Sequence, residues 1–545
     1  IKDTAQLGAV IGRQFSYRLI LVVTSTEEPS LREALSKLEA EGILSRRGSG
    51  SAAIYEFRHA LIQEAAYASL LKSRRAELHE RIAQCLLGNM SDEGASDPAM
   101  VAHHLTEAGM IDEAVDYWIA AGKLSVETSG YTEALSNFST ALRLLQQLPS
   151  GAERHEREIA TLLLAGPCQV QALGPASDDV FETYSTAVEL CKNFGTLEQR
   201  FNALWGLWFY RFMLGDVSKM RDLAEQLIPL AQDLGDPSLE LEGHHCEWAA
   251  LSLLGDLDGA LQSTKEGIRS YRAEQHHWMT FHYGGHDPGL CARNLNALNL
   301  CLLGYPDQAK AVSDDAVERA ITLDHAYTLL EGLFCALMVM MLRRDHSAVR
   351  AHAEHLIELT EAGRVPSQAK ALATGFLGWA QTETGNGAKG FSNMQSSVAD
   401  WQSFWGAWCF PLDAAYASVL AHQGHSHEAL AIIDASRETG GDTGGTWWEA
   451  EFLRVRGNTL LLPDPKDLEG ARASLTEALN VARSRNGRLL ELRAARDLAH
   501  MYLEGGDSVA AHDVLAPVFT WFTEGNDLPD YVDAKDELER IGLPR

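Results

Sequence analysis

Leu303-Gly304-Tyr305-Pro306-Asp307-Gln308-Ala309 is the stretch that decides the fold. Leu295–Leu303 before it and Gln308–Leu323 after it read as helices, and the Gly-Tyr-Pro-Asp between them reads as a short turn. The turn recurs as Leu214-Gly215-Asp216, Leu254-Gly255-Asp256, Arg343-Arg344-Asp345, Thr384-Gly385-Asn386, Gln423-Gly424-His425 and Glu504-Gly505-Gly506-Asp507. Positions 215, 255, 304, 344, 385, 424 and 506 step by 40, 49, 40, 41, 39 and 82. The last step spans two periods, with its missing member near Pro465-Lys466-Asp467. A period near 40 built from two helices predicts an all-α helical-hairpin solenoid, in which stacking supplies the core that one unit cannot.

Small residues fit that geometry. Ala260, Ala309 and Ala429 each stand five residues after the turn glycine, where two helices must approach closely. Asp256 and Asp307 are candidate N-caps of the second helix. Gly109 with Ala114 and Gly130 with Ala134 mark the start of the array. Nine to ten helix pairs are expected, with no strand beyond residue 90.

The first 90 residues differ in charge from the rest. They hold 12 Lys+Arg and 10 Asp+Glu, against 34 and 65 in the remainder, within a chain of 545 residues and net charge −29. Ala5–Ile11, Tyr17–Val23 and Ser30–Glu41 read as helices, the last with Ser30 as N-cap and Glu33 completing a capping box. Ile43–Arg47 and Ile54–Arg58 read as the strands of one β-hairpin, and His59–Leu71 as a further helix. Three helices and a hairpin predict a winged-helix module. The expected division is therefore 1–90 winged helix, 91–200 first repeats and 201–545 solenoid.

Composition excludes several classes. The negative charge argues against general nucleic-acid binding, which needs clustered Lys and Arg. The third helix offers only Arg32 and Lys37 among three glutamates, although Arg46, Arg47 and Arg58 keep a DNA-binding regulator as the alternative. The longest apolar run, Leu333–Leu342, is far below the ~20 residues of a membrane helix. No secretory signal is legible, and eight cysteines without a CxxC pair fit packed thiols of a cytoplasmic protein. There is no phosphate-cradling G-x-x-x-x-G-K-[ST]; Gly385-Asn386-Gly387-Ala388-Lys389-Gly390 reads as a repeat turn. No catalytic constellation is present, so no enzyme and no cofactor are expected of these residues.

Ala9-Val10-Ile11-Gly12-Arg13-Gln14-Phe15-Ser16-Tyr17, Leu38–Leu44, Tyr55–Tyr67, Ala203–Trp208, Tyr283–Gly289 with Leu303–Ala309, and Leu515–Gly525 carry a family resemblance. These strings resemble bacterial multidomain signalling proteins. In those, a class III adenylate/guanylate cyclase domain precedes a signal-transduction ATPase, a winged helix and tetratricopeptide-like repeats. The resemblance runs through nearly the whole chain. It implies a regulatory scaffold lying after an ATPase, with ATP or ADP bound only by that upstream domain and the ATPase and cyclase as partners in cis. The opening at Ile1, without Met and inside a helix-like segment, fits a piece of such a protein. The resemblance also implies a role for His59, because in related ATPases a histidine after the hairpin contacts the ADP β-phosphate. The sequence departs from the plant form of that motif at Ala60, where the relatives have Asp.

Two further groups are candidates for a ligand or partner pocket. His282, His286 and Asp287 lie in the polar, aromatic stretch His276–Cys291, which is either a pocket or an enlarged loop accounting for the 49-residue step. His282 and His286 have a metal-like spacing of four, but Gly284 and Gly285 break the helix between them, so no metal site is expected. Trp401, Trp405 and Trp408 at i, i+4 and i+7 share one helical face. That face packs in the core, or anchors a peptide on the concave surface. A protein or peptide partner on the concave face is the expected ligand.

Overall fold

In the computed structural model residues 1–89, 97–462 and 466–542 are described, without the side chains of 89 and 404–406. The chain divides into two compact units, Ile1–Gly206 and Leu207–Arg545.

The first unit begins with α1 (Lys2–Ile11), β1 (Gln14–Ser16), α2 (Tyr17–Val23), α3 (Glu28–Ala40), β2 (Leu44–Arg47), β3 (Ile54–Phe57), α4 (Ala60–Ala68) and α5 (Lys72–Asn89). The β2–β3 hairpin pairs antiparallel with Leu44 opposite Phe57 and Arg47 opposite Ile54. The sequence reading missed β1, which pairs Phe15 with Tyr55 and makes a three-stranded sheet of order β1-β3-β2. Three residues are too few to show an alternating pattern. α3 starts earlier than expected: Glu27 is its N-cap and Pro29 lies in its first turn. Glu33 pairs with Lys37, so there is no capping box at Ser30. The helix expected over 59–71 ends at Ala68, and α5 follows from Lys72.

α6 (Pro98–Ala108), α7 (Ile111–Glu127), α8 (Tyr131–Leu145), α9 (Ala152–Leu173), α10 (Asp178–Cys191) and α11 (Leu197–Leu214) open the helical array. The core around Ile20, Leu35 and Phe57 runs on through Leu105, Val115 and Leu144 of this array. The left-handed residue between α7 and α8 is Ser129, not Gly130, whose φ is −82°.

The second unit holds α12 (Val217–Leu234), α13 (Pro237–Leu254), α14 (Leu257–Ser270), the short α15 (Ala273–His276), α16 (Pro288–Leu302), α17 (Pro306–Leu323), α18 (Ala326–Leu342) and α19 (His346–Glu361). It closes with α20 (Ala369–Glu383), α21 (Gly387–Trp405), α22 (Phe410–His422), α23 (Ser426–Thr443), α24 (Glu449–Leu460), α25 (Leu468–Ser484), α26 (Arg488–Glu504), α27 (Ser508–Phe519) and α28 (Pro529–Ile541). Among the described residues, 22 helices longer than one turn follow α5, rather than nine to ten pairs. The early repeats lack the Gly-Asp turns by which the later ones were counted.

The seven turn positions read from sequence all have positive φ, including the non-glycine Arg344 at 55°. An aspartate follows many of these turns and caps the next helix: Asp216, Asp256, Asp345 and Asp507 accept from Lys219, Gly259, Ala348 and Ala510 N–H groups. Each such cap contributes about 1 kcal/mol. Asp467 does the same for α25 at the skipped period, while Pro465 lies outside the described residues. Ala260, Ala309 and Ala429 are fully buried. Gly390, in the string read as a repeat turn, has no room for a Cβ: it would sit 2.5 Å from the Gly378 carbonyl oxygen.

Within Leu207–Arg545 the solenoid returns on itself. Thr446 Oγ1 donates to the Leu254 carbonyl at 3.2 Å, 192 residues away, and Asn486 Nδ2 donates to Asp258 at 2.6 Å, 228 residues away. One winding therefore takes roughly five helix pairs. Asp307 is recruited to this closure and does not cap α17; Tyr305 occupies the N-cap. Asp307 Oδ2 accepts from the Gly525 N–H at 2.9 Å and Oδ1 from Arg343 at 3.1 Å.

Candidate functional site

The first helices of successive pairs line the inside of this winding. α16, α18, α20, α22, α24, α26 and α28 enclose a cavity of about 710 Å3. Leu298, Met338, Met341, Trp379, Pro411 and Val455 supply an apolar wall. Trp448 belongs to the lining, and its buried indole N–H has no partner.

The opposite wall is a charge network. Arg493, only 7% exposed, donates Nε and Nη2 to Asp530 Oδ2 at 2.9 and 2.8 Å and Nη2 to the Leu342 carbonyl at 2.6 Å. Arg454 forks onto Glu451 at 2.9 and 2.7 Å and reaches Asp497 at 2.6 Å. Arg496 donates to Asp497 at 2.6 Å and to Asp533 at 3.0 Å, and Arg344 donates to Asp533 at 2.6 Å. Burial opposes ionisation of Asp497, but Arg496 and Arg454 outweigh it and hold the carboxyl far below the usual range. Asp530 and Glu451 are depressed by the same balance, through Arg493 with Arg344 and through Arg454 with Arg493. Such a network is kept only when every member is paired.

The cavity holds seven carboxylates against five guanidinium groups. Glu383 and Asp536 are exposed members of the lining, outside the network of paired charges. The site is thus a mildly acidic, half-apolar lumen.

Among the nominated pocket residues with described side chains, none lines it. Trp401 is fully buried, its indole N–H donating to Asp413 Oδ1 at 2.9 Å, so it is core and not a peptide anchor. Trp408 does not share its helical face, because α21 ends at Trp405 and 406–409 form a 3-10 turn. Trp408 is half-buried and its ring lies 6.2 Å from that of Trp447; the side chain of Trp405 lies outside the described residues. His282 is exposed and contacts the ring of Trp278. Asp287 is the N-cap of α16, accepting from Leu290 N–H at 2.9 Å, and also accepts from Tyr271 at 2.5 Å. His286 does not face His282; its Nε2 lies 3.0 Å from Nε2 of His245. His59 is exposed at the N-cap of α4, and its side chain caps no backbone N–H.

The lumen was missed although a signal existed. α26 carries Arg493, Arg496, Asp497 and His500 at helical spacings between buried Leu and Ala residues, a charged stripe facing inward. Four of the five basic residues behind the DNA-binding alternative are paired in cis: Arg32 with Glu28, Lys37 with Glu33, Arg46 with Glu39, and Arg47 with Glu56. Seven of the eight cysteines are buried, and none is in a disulfide. No helix among the described residues is long and apolar enough to cross a membrane.

No family model matches the chain. An uncharacterized protein of Rhizobium meliloti (strain 1021) is 26% identical over 509 residues, covering 92% of this chain and 48% of the relative. The chain thus spans about half the length of that curated relative. Among solved structures, the APC/C hetero-tetramer Cut9–Hcn1 is 12% identical with TM-score 0.42, covering 99% of this chain and 98% of that one. A Rap protein complexed with competence and sporulation factor is 10% identical with TM-score 0.39, covering 79% and 99%. A signal-transduction ATPase with a tetratricopeptide-repeat sensor from Pyrococcus horikoshii is 12% identical with TM-score 0.27, covering 99% and 65%.

Proposed function

We propose that the chain is a sensory protein-interaction scaffold of a signalling ATPase, and that the lumen of its second unit takes up a segment of a partner protein. The observation that carries this reading is the 710 Å3 lumen, with an apolar wall, a braced ionic wall and Glu383 and Asp536 in its lining. A segment with cationic and apolar side chains fits it. Lysine or arginine would meet Glu383 and Asp536, an apolar side chain would enter among Met338, Met341 and Trp379, and a backbone carbonyl would accept from Trp448.

The family resemblance supplies the rest of the reading. Residues 1–89 act as a winged helix against an upstream ATPase, and exposed His59 reaches the ADP β-phosphate from the start of α4, where the helix dipole favours an anion. Filling the lumen biases the position of that module, a coupling of the usual ~1–3 kcal/mol. A nucleotide cyclase upstream is the output.

Display of random peptides against the chain tests the lumen. Selected peptides should pair Lys or Arg with apolar residues, and the exposed-site variants Glu383→Lys and Asp536→Lys should weaken them at least tenfold. Selection of no sequence, or affinity unchanged in both variants, rejects the reading.

A further inference from the structure

We propose that His245, His286, Cys291 and Glu331 form a divalent metal site of the zinc type. His245 lies on α13, His286 in the turn before α16, Cys291 in the first turn of α16 and Glu331 on α18, so three adjacent inner helices converge there. One ligand atom from each of His245, His286 and Cys291 lies within 4.8 Å of the other two.

The orientation of the two imidazoles is the decisive observation. His245 Nδ1 is 3.1 Å from Glu242 Oε2, and His286 Nδ1 is 3.1 Å from the Gly284 carbonyl oxygen. Carboxylate and carbonyl only accept hydrogen bonds, so each Nδ1 carries its proton. In the neutral rings both Nε2 atoms then present lone pairs, and they face each other at 3.0 Å. Two lone pairs at that distance repel unless a proton or a metal ion lies between them, and the carboxylates around His245 favour a cation there. Holding Nδ1 with a carboxylate or a backbone carbonyl is how proteins orient a histidine for a metal at Nε2. A tetrahedral zinc sets two such nitrogens about 3.3 Å apart, a small opening from the observed distance.

The other groups complete the set. Trp248 Nε1 donates to Cys291 Sγ at 3.5 Å; burial and Glu331 push the thiol's pKa up, so a thiolate there needs a bound cation. Glu331 Oε2 lies 4.0 Å from His286 Nε2 and is buried without a hydrogen bond. The charged side chains acting on buried His245 are carboxylates: Glu242, Glu331 and Asp287. A dication balances a thiolate and a carboxylate in this setting. Two imidazoles, one thiolate and one carboxylate match zinc's donor preferences. The site would pin the long α15–α16 connection, which produces the 49-residue step, to the inner helices.

Cobalt(II) titration of the reduced, chelator-treated chain tests the proposal. One ion per chain should bind with a thiolate-to-cobalt charge-transfer band, and zinc should displace it and raise the melting temperature. Cys291→Ser should lose the band, and His286→Gln, at a half-buried turn position, should weaken binding about a hundredfold with helicity unchanged. His282→Ala, exposed and outside the cluster, should bind as the wild type does. Absence of the band from the folded wild type overturns the proposal, and so does its survival in Cys291→Ser.

Discussion

The two units bury polar groups in opposite ways. In the first, His79 and His104 are buried with Nδ1 atoms 2.8 Å apart, and burial pushes their pKa values down to about 4 and about 3. That pair is held neutral. In the second, Arg454, Arg493 and Arg496 are held charged against Glu451, Asp497 and Asp530. A neutral pair needs no closed ring of partners, whereas an ionic network needs every member. The comparison explains why the network sits where one winding meets the next, at the only place that brings α18, α24, α26 and α28 together among the described residues.

Removing one member of the network should give the largest effect. Arg493→Met leaves Asp530 short of its main partner and should lower unfolding free energy by about 3–5 kcal/mol in urea denaturation. A loss below 1 kcal/mol would mean that the network is braced elsewhere.

Acidification should separate the units. The folded pKa of His79 is below that of the unfolded chain, so its contribution is complete above about 6.5 and lost as pH falls toward 4. Between pH 7.5 and 5 His79 should account for about 2 kcal/mol of lost stability, which His79→Leu should remove from the wild-type slope. The same pH dependence in His79→Leu as in the wild type would contradict the neutral pair. The network carboxylates, depressed in the fold, should hold through this range and fail only at lower pH.

Asp413 provides the opposite sign inside the second unit. Burial raises its pKa from 3.8 to about 6, despite hydrogen bonds from Trp401, Gln402 and Ser436. Its contribution is complete below 3.8 and lost as pH rises through 6, so acidification from pH 7.5 to 5 should return about 1.5 kcal/mol. Asp413→Asn keeps the acceptor for Trp401 and should abolish that slope. An unchanged slope in melting experiments would place the titration elsewhere. The smallest effect is expected at the surface, where Lys37→Ala breaks an exposed pair with Glu33 and should cost less than about 0.5 kcal/mol.

Legibility followed the range of the interaction. The turn glycines, Asp256 as N-cap and the hairpin were readable because each is decided within a few residues. Asp307 was misread because its partner, Gly525, is 218 residues away. His286 was paired in thought with His282, four residues off, while its actual neighbour His245 lies 41 residues back on another helix. Trp401 reads from sequence as core rather than surface, and its bond to Asp413 on the next helix accords with that. The lumen was hidden for the same reason, since its walls are assembled by closure of the winding.

Hydrogen–deuterium exchange of the chain, with and without a display-selected peptide, tests the central claim most directly. Protection confined to the lumen-facing helices α22, α24, α26 and α28, and lost with Asp536→Lys, is the expected result. Protection confined to the outer helices, or to residues 1–206, would contradict partner recognition in the lumen.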